Sequence, residues 1–117
     1  MQNNLLIRLL NGSCPDGPRK DIWDLSDKFA KIEQRLRGHI FDKYFNELQV
    51  IKLTNLAGLL ATSAANFAVW TEKEDLYVSK MLALYKRKYE MLVEAARYIE
   101  NHADRARLKS EGGFYAE

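Results

Sequence analysis

Residues 76–100, LYVSKMLALYKRKYEMLVEAARYIE, decide the fold class. At 100° per residue, the apolar side chains of this stretch cover an arc of about 180° around a helix, from Leu84 round to Val93. Between Leu76 and Ile99, Lys88 is the only charged residue inside that arc. The stretch therefore predicts a long amphipathic helix whose tyrosines, Tyr85 and Tyr89, point to the core or to an interface.

The segment YKRKYE, residues 85–90, also fits a nucleic-acid-binding surface, because it interleaves aromatic and basic side chains. On a helix, however, Lys86, Arg87 and Lys88 lie 100° apart and fan around the axis. A further set of charges alternates in sign at 3–4 spacing along the far side: Arg87, Glu90, Glu94 and Arg97. Pairs at this spacing cancel a local positive field, so a solvated charged face is the favoured interpretation.

The rest of the chain is also predicted to be helical. Its two prolines, Pro15 and Pro18, both lie in the segment NGSCPDGPRK, and no run shows the alternation of a strand. A short first helix is predicted over residues 3–10, because Asn11-Gly12 is a common C-terminal signal. The fold class predicted is all-α.

Two middle helices follow the loop. The second helix is predicted to begin with Asp21 as its N-cap, and the pattern leaves open whether it kinks or breaks near Gly38 or continues toward Leu48. Its apolar positions recur at 3–4 spacing: Ile22, Leu25, Phe29, Ile32, Leu36 and Ile40. The third helix is predicted over residues 48–70. It is rich in alanine with one glycine, Gly58, and small residues at this spacing let another helix approach closely.

The last helix is predicted to begin with a capping box, TEKE, in which Thr71 caps and Glu74 reaches back. It would run over residues 72–108 for about 55 Å and overrun a compact domain of this size, unless its last turns fray or it breaks near Asn101. The prediction is a single domain, a four-helix bundle with extended terminal arms. Its parts are an N-terminal helix and loop (1–20), a helical core (21–108) and a C-terminal docking tail (109–117).

The composition of the chain limits the functions that it can have. The 117 residues carry 18 Lys and Arg against 16 Asp and Glu, a net charge of +2 that is too weak to indicate a nucleic-acid-binding protein by itself. Cys14 is the only cysteine, so no disulfide within the chain is expected. No signal peptide or membrane span is predicted. Motifs for a metal, a cofactor or catalysis are absent from the sequence, and we expect no enzyme and no cofactor.

The C-terminal tail, KSEGGFYAE, predicts a docking element. Gly112-Gly113 forms a flexible joint, and Phe114 and Tyr115 form an apolar hook beyond it. Three basic residues precede the hook and complete the predicted partner-binding set: Arg105, Arg107 and Lys109. Both chain ends are therefore expected to reach neighbouring subunits.

The region 53–107 resembles the helical core of tailed-bacteriophage head–tail connector (adaptor) ring proteins. The resemblance is carried by the small-residue helix NLAGLLATSAANFA, the acidic turn TEKED, the helix quoted first and the trailing RARLKSEGGFY. It implies a helical bundle that builds a ring beneath a portal, and termini that bind the portal or neighbouring tail components. Phe114 and Tyr115 would then be docking residues in a virion.

Two functions from different classes remain open at this point. The first is a structural subunit of a homo-oligomer, most concretely a connector ring component. The alternative is a small helical nucleic-acid-binding subunit of a larger, cytoplasmic complex. It would contact phosphates with Lys86, Arg87, Lys88, Arg105, Arg107 and Lys109, and its affinity would fall steeply with salt. An enzyme that uses Cys14 ranks third.

Overall fold

The computed structural model describes residues 17–112, which form three helices and no strand. These are α1 (Gly17–Arg37), α2 (Glu47–Trp70) and α3 (Asp75–Gly112). The all-α prediction is confirmed for this range. A four-helix bundle is not, because the predicted helix over residues 3–10 lies outside the described residues, as do Cys14, Phe114 and Tyr115.

The helices run up, down and up. At one end, the Arg19 guanidinium donates to the carbonyls of Ala68 and Thr71, both at 2.9 Å. At the other end, Arg35 of α1 pairs with Glu100 of α3. Thus α1 is antiparallel to α2 and parallel to α3. It packs against both of them, whereas α2 and α3 touch each other far less.

The core lies where α1 meets the other two helices. The predicted positions from Ile22 to Leu36 are all buried, as the 3–4 spacing requires. Phe29 is fully buried and meets Tyr89 of α3 edge to face, with ring centroids 5.6 Å apart. The facing side of α2 is mostly alanine, so its backbone approaches α1 closely; Gly58 lies directly opposite the Glu33 carboxylate.

The ends of α1 and α2 follow local sequence signals. Gly17 has φ +69°, a conformation that suits glycine, and Pro18 occupies the first turn, where no amide hydrogen is needed. The helix therefore begins four residues before Asp21, and the predicted cap at Asp21 is wrong. The sequence left open whether the helix continues through Gly38; in the structure α1 ends at Arg37, one residue before it. Asn46 caps α2 by accepting from the Gln49 amide at 3.0 Å.

The predicted capping box of α3 is wrong. Thr71 ends α2 instead: its amide donates to the Phe67 carbonyl at 3.0 Å and its hydroxyl accepts from the Lys73 amide at 3.2 Å. The helix begins later, at Asp75, and continues unbroken to Gly112. Its 38 residues span about 57 Å at 1.5 Å per residue, which explains the elongated 63 × 24 × 22 Å shape.

None of the three helices is long and apolar enough to cross a membrane.

Candidate functional site

An apolar groove runs between α2 and α3, on the side away from α1. Two adjoining hollows, of about 540 and 290 Å³, share Leu53, Met91 and Ala95 in their walls. We call the combined feature the α2/α3 groove, and its apolar lining residues are Leu53, Leu56, Leu60, Met91, Leu92, Ala95, Tyr98 and Ile99. It exists because α1 fills one side of the α2–α3 pair with bulky side chains and nothing among residues 17–112 fills the other.

A row of large apolar side chains on α3 borders this groove. Tyr77, Leu84, Met91 and Tyr98 follow one another every seven residues, and they are 43, 45, 63 and 66% exposed. We call this row the outer stripe. A repeat of seven is typical of a helix face that packs along another helix. The apolar arc predicted for this helix is thus only partly buried: Tyr85 and Leu92 are covered, whereas Leu84 is not.

Helix α2 is apolar on nearly every side. No charged residue occurs between Lys52 and its end at Trp70. Leu56, Leu59 and Trp70 are 46, 69 and 49% exposed, in addition to the buried face toward α1. A helix with apolar residues all round is normally enclosed by other helices, so α2 has more apolar surface than the rest of residues 17–112 covers.

A rigid turn between α1 and α2 presents the most exposed large apolar side chain of the described range, Phe41, at 94%. The turn, residues 38–46, is held on both sides of Phe41. The ring of His39 stacks on Phe45, with centroids 4.2 Å apart. Asp42 accepts from the Tyr44 amide at 2.9 Å and from the Arg107 guanidinium at 2.9 Å. Phe41 is therefore fixed in position while its side chain faces solvent.

A charged cluster ties this turn to α3. Glu100 accepts two hydrogen bonds from Arg35, one at Oε2 (2.8 Å) and one at Oε1 (2.5 Å), and the same Oε2 lies 2.9 Å from His39 Nε2. The bonds from Arg35, assisted by His39, hold the pKa of Glu100 below its ordinary value although burial opposes them. The same hydrogen bonds raise the pKa of Arg35. The cluster is well suited to fastening α1 and the turn to α3.

The predicted basic docking residues do not share one role in the structure. Arg107 is half-buried and bound to Asp42 and Asp104, at 2.9 and 3.0 Å, with its guanidinium 5.1 Å from the Tyr44 ring centroid. Its charge is engaged within the chain. Arg105 and Lys109 are exposed, whereas the predicted hook, Phe114 and Tyr115, lies outside residues 17–112.

The basic triplet is exposed as predicted, but the ion pairs predicted beside it do not form. Lys86, Arg87 and Lys88 all lie on the surface. In the part of the chain that the structure describes, no ion pair joins any two of the alternating charges on α3: Arg87, Glu90, Glu94 and Arg97. These four side chains are therefore available to a partner.

Sequence reasoning missed the two clearest surface features. The seven-residue repeat of the outer stripe was present in the sequence, but two of its residues, Met91 and Tyr98, lie outside the arc of about 180° that was predicted to be apolar. Phe41 gave no signal, since an apolar residue in the segment IFDKYF is equally typical of a buried turn.

Among residues 17–112, no group of three or more His, Cys, Asp and Glu side chains is placed to hold a metal ion. Comparison of the chain with protein-family models, with curated proteins and with solved structures gave no match. The resemblance to connector proteins therefore stays a prediction, and the proposals below depend on the geometry.

Proposed function

We propose that this protein is a structural subunit that assembles with copies of itself and acts by burying apolar surface, without chemistry of its own. The observation that carries the proposal is the α2/α3 groove together with the outer stripe. Leu56, Leu84, Met91 and Tyr98 are each about half exposed or more, and they lie on two neighbouring helices.

Burying this surface contributes free energy of the same order as the cost of association. Full burial of a Leu or Met side chain stabilises by about 1.5–3 kcal/mol. Covering the exposed half of these four side chains therefore contributes roughly 4 kcal/mol per copy, or about 8 kcal/mol when two copies do so together. This is comparable to the cost of association, about 4–15 kcal/mol, so further contacts such as Phe41 would set the final affinity.

The more specific form of the proposal is a component of a phage head–tail connector ring in the virion. It is supported by the resemblance of residues 53–107 and by the length of α3. In this form, the predicted helix over residues 3–10 would supply the fourth helix of the bundle. The exposed Arg105 and Lys109, with Phe114 and Tyr115, would contact the portal or neighbouring subunits.

A nucleic-acid-binding subunit is the second candidate, and one observation favours it: Lys86, Arg87 and Lys88 are exposed, and no ion pair occupies them in the described part of the chain. They point in three directions around α3, however, and Arg107 is engaged by Asp42 and Asp104. A single phosphate-binding face is therefore not assembled on this helix.

Light scattering on the full chain tests the first proposal against the second. We expect a mass above that of one chain, and we expect Leu56→Glu to reduce it while Leu59→Glu leaves it unchanged. The two substitutions are chemically identical and lie on the same helix, but only Leu56 lines the groove. A single-chain mass that rises only when a DNA or RNA oligomer is added at low salt would contradict the proposal and favour nucleic-acid binding.

A further inference from the structure

The outer stripe of α3 is complementary to itself when a second copy runs in the opposite direction. Met91 lies at its centre, with Leu84 seven residues before it and Tyr98 seven residues after it. About a two-fold axis at Met91, each Leu84 lies at the level of the other copy's Tyr98, and the two Met91 side chains meet. In the two outer layers a long side chain then faces a shorter one, and in the central layer the two Met91 side chains face each other, so the interface is self-complementary.

The charges beside the stripe select this direction. Arg87 and Glu94 are seven residues apart, so they lie on the same rim of the stripe, about 20° from each other around the helix. Relative to Met91, Arg87 is four residues before and Glu94 three residues after. An antiparallel copy therefore brings each Arg87 next to the other copy's Glu94, whereas a parallel copy would place like charges together.

Neither Arg87 nor Glu94 has an ion-pair partner among residues 17–112, and both side chains are exposed. On the opposite rim, each Lys88 lies about 9 Å along the axis from its counterpart. That separation is close to the screening length of about 8 Å at physiological ionic strength, so the repulsion is small.

The α2/α3 groove provides the space for a second helix. Met91 forms part of both of its hollows, and Leu53 and Leu56 form the opposite wall on α2. A second α3 lying along the groove would cover Leu56, Met91 and Tyr98 at once. The two α2–α3 pairs would then form a four-helix arrangement across the two-fold axis, with each α1 on the outside.

We propose that a second copy of this chain docks along the α2/α3 groove, antiparallel, with the two-fold axis at Met91 and with Arg87 of each copy beside Glu94 of the other. This inference depends on the proposed self-assembly and specifies its surface and register. It is an interface of two equivalent copies, on which larger assemblies can be built through other surfaces.

Charge reversal tests the register. In full-length protein, we expect Arg87→Glu and Glu94→Arg each to weaken the dimer by about tenfold or more in sedimentation experiments, since each change affects two pairs. The double variant Arg87→Glu/Glu94→Arg should return to within about threefold of the original affinity. Arg97→Glu is the matched control on the same helix, outside the stripe, and should leave the affinity unchanged. Circular dichroism verifies that all variants keep their helices.

Cysteine cross-linking tests the position of the axis. In a Cys14→Ser background, Met91→Cys should form a disulfide with its own counterpart on mild oxidation. Facing residues of helices packed about 8–10 Å apart bring their Cα atoms within disulfide range. Lys86→Cys, an exposed position about 140° away around the helix, is the control and should not cross-link.

The outcomes separate this inference from the proposed function. Recovery in the double variant, together with selective cross-linking at Met91, supports the register. An oligomer in which the double variant stays weakened and Met91→Cys does not cross-link overturns the register, while self-assembly through another surface stands. A single-chain mass at every concentration overturns both.

Discussion

Thr54 of α2 is a buried polar residue in an apolar environment. It is 4% exposed on the face that packs toward α1, and its hydroxyl is the only fully buried side-chain polar atom among residues 17–112 without a hydrogen-bond partner. Replacing it with valine keeps the β-branched shape and changes helix propensity little. A buried hydroxyl without a partner costs about 1–3 kcal/mol in protein mutational data. We therefore expect Thr54→Val to stabilise the fold by about 1 kcal/mol.

Urea unfolding followed by circular dichroism measures this change. An increase of about 1 kcal/mol should raise the melting temperature by about 4–8 °C for a domain of this size class. Thr62→Val is the matched control, because Thr62 is exposed on the same helix and its replacement should change stability by less than about 0.5 kcal/mol. A loss of stability for Thr54→Val would refute the reasoning, since it would mean that the hydroxyl has a partner in solution.

Three further predictions concern stability. Phe29→Ala should destabilise the fold by about 3–5 kcal/mol in urea unfolding, because its ring is fully buried. Phe41→Ala is the control and should change stability by less than about 0.5 kcal/mol; similar losses at both sites would contradict the described core. Gly58→Ala should stabilise by about 0.5 kcal/mol, because the gain in helix propensity of about 1 kcal/mol exceeds the loss of a surface ion pair. The new Cβ would lie 2.9 Å from Glu33 Oε2 and would displace the Glu33 side chain from its ion pair with Arg37. A loss above about 1 kcal/mol, on the order of a steric penalty, would show that Glu33 cannot move. Because the pKa of Glu100 is lower in the folded state, Glu100 stabilises the fold above its ordinary pKa of 4.5, and this stabilisation is lost as the pH falls through the folded pKa. Glu100→Gln should therefore reduce the loss of stability on the acid side. An identical dependence of stability on pH in the variant would contradict the prediction.

The sequence was sufficient for elements whose structure depends on local signals. The 3–4 spacing from Ile22 to Leu36 predicted a buried face that the structure confirms residue by residue. The small-residue helix was predicted to start at residue 48, within one residue of its observed start at Glu47, whereas the end of α1 before Gly38 was left open. Each of these features follows from periodicity or from a single residue that disfavours helix.

The start of α3 could not be predicted because it depends on contacts distant in the sequence. Thr71 has a sequence typical of an N-cap, yet its carbonyl accepts from Arg19, which is 52 residues away. That contact and the bond to Phe67 use Thr71 to end α2, so the next helix begins at Asp75. A tertiary contact overrides a local capping signal here.

The candidate site was only half predictable for a similar reason. The apolar arc of α3 predicted one apolar face, but the arc stops at Leu84 and leaves out Met91 and Tyr98, and its covered part depends on where α1 and α2 lie. The bulky side chains of α1 cover the side that carries Tyr89, and the side that carries Met91 stays exposed. Phe41 is exposed because Asp42 and Arg107 fix the turn, a pairing across 65 residues that no local pattern indicates.

Hydroxyl-radical footprinting of the full chain as a function of concentration tests the central claim most directly. Met91 is 63% exposed in a single chain and should become protected as the concentration rises, because assembly covers the α2/α3 groove. Leu59, which is 69% exposed outside the groove, should stay reactive throughout. Equal labelling of Met91 at all concentrations would contradict assembly through this surface.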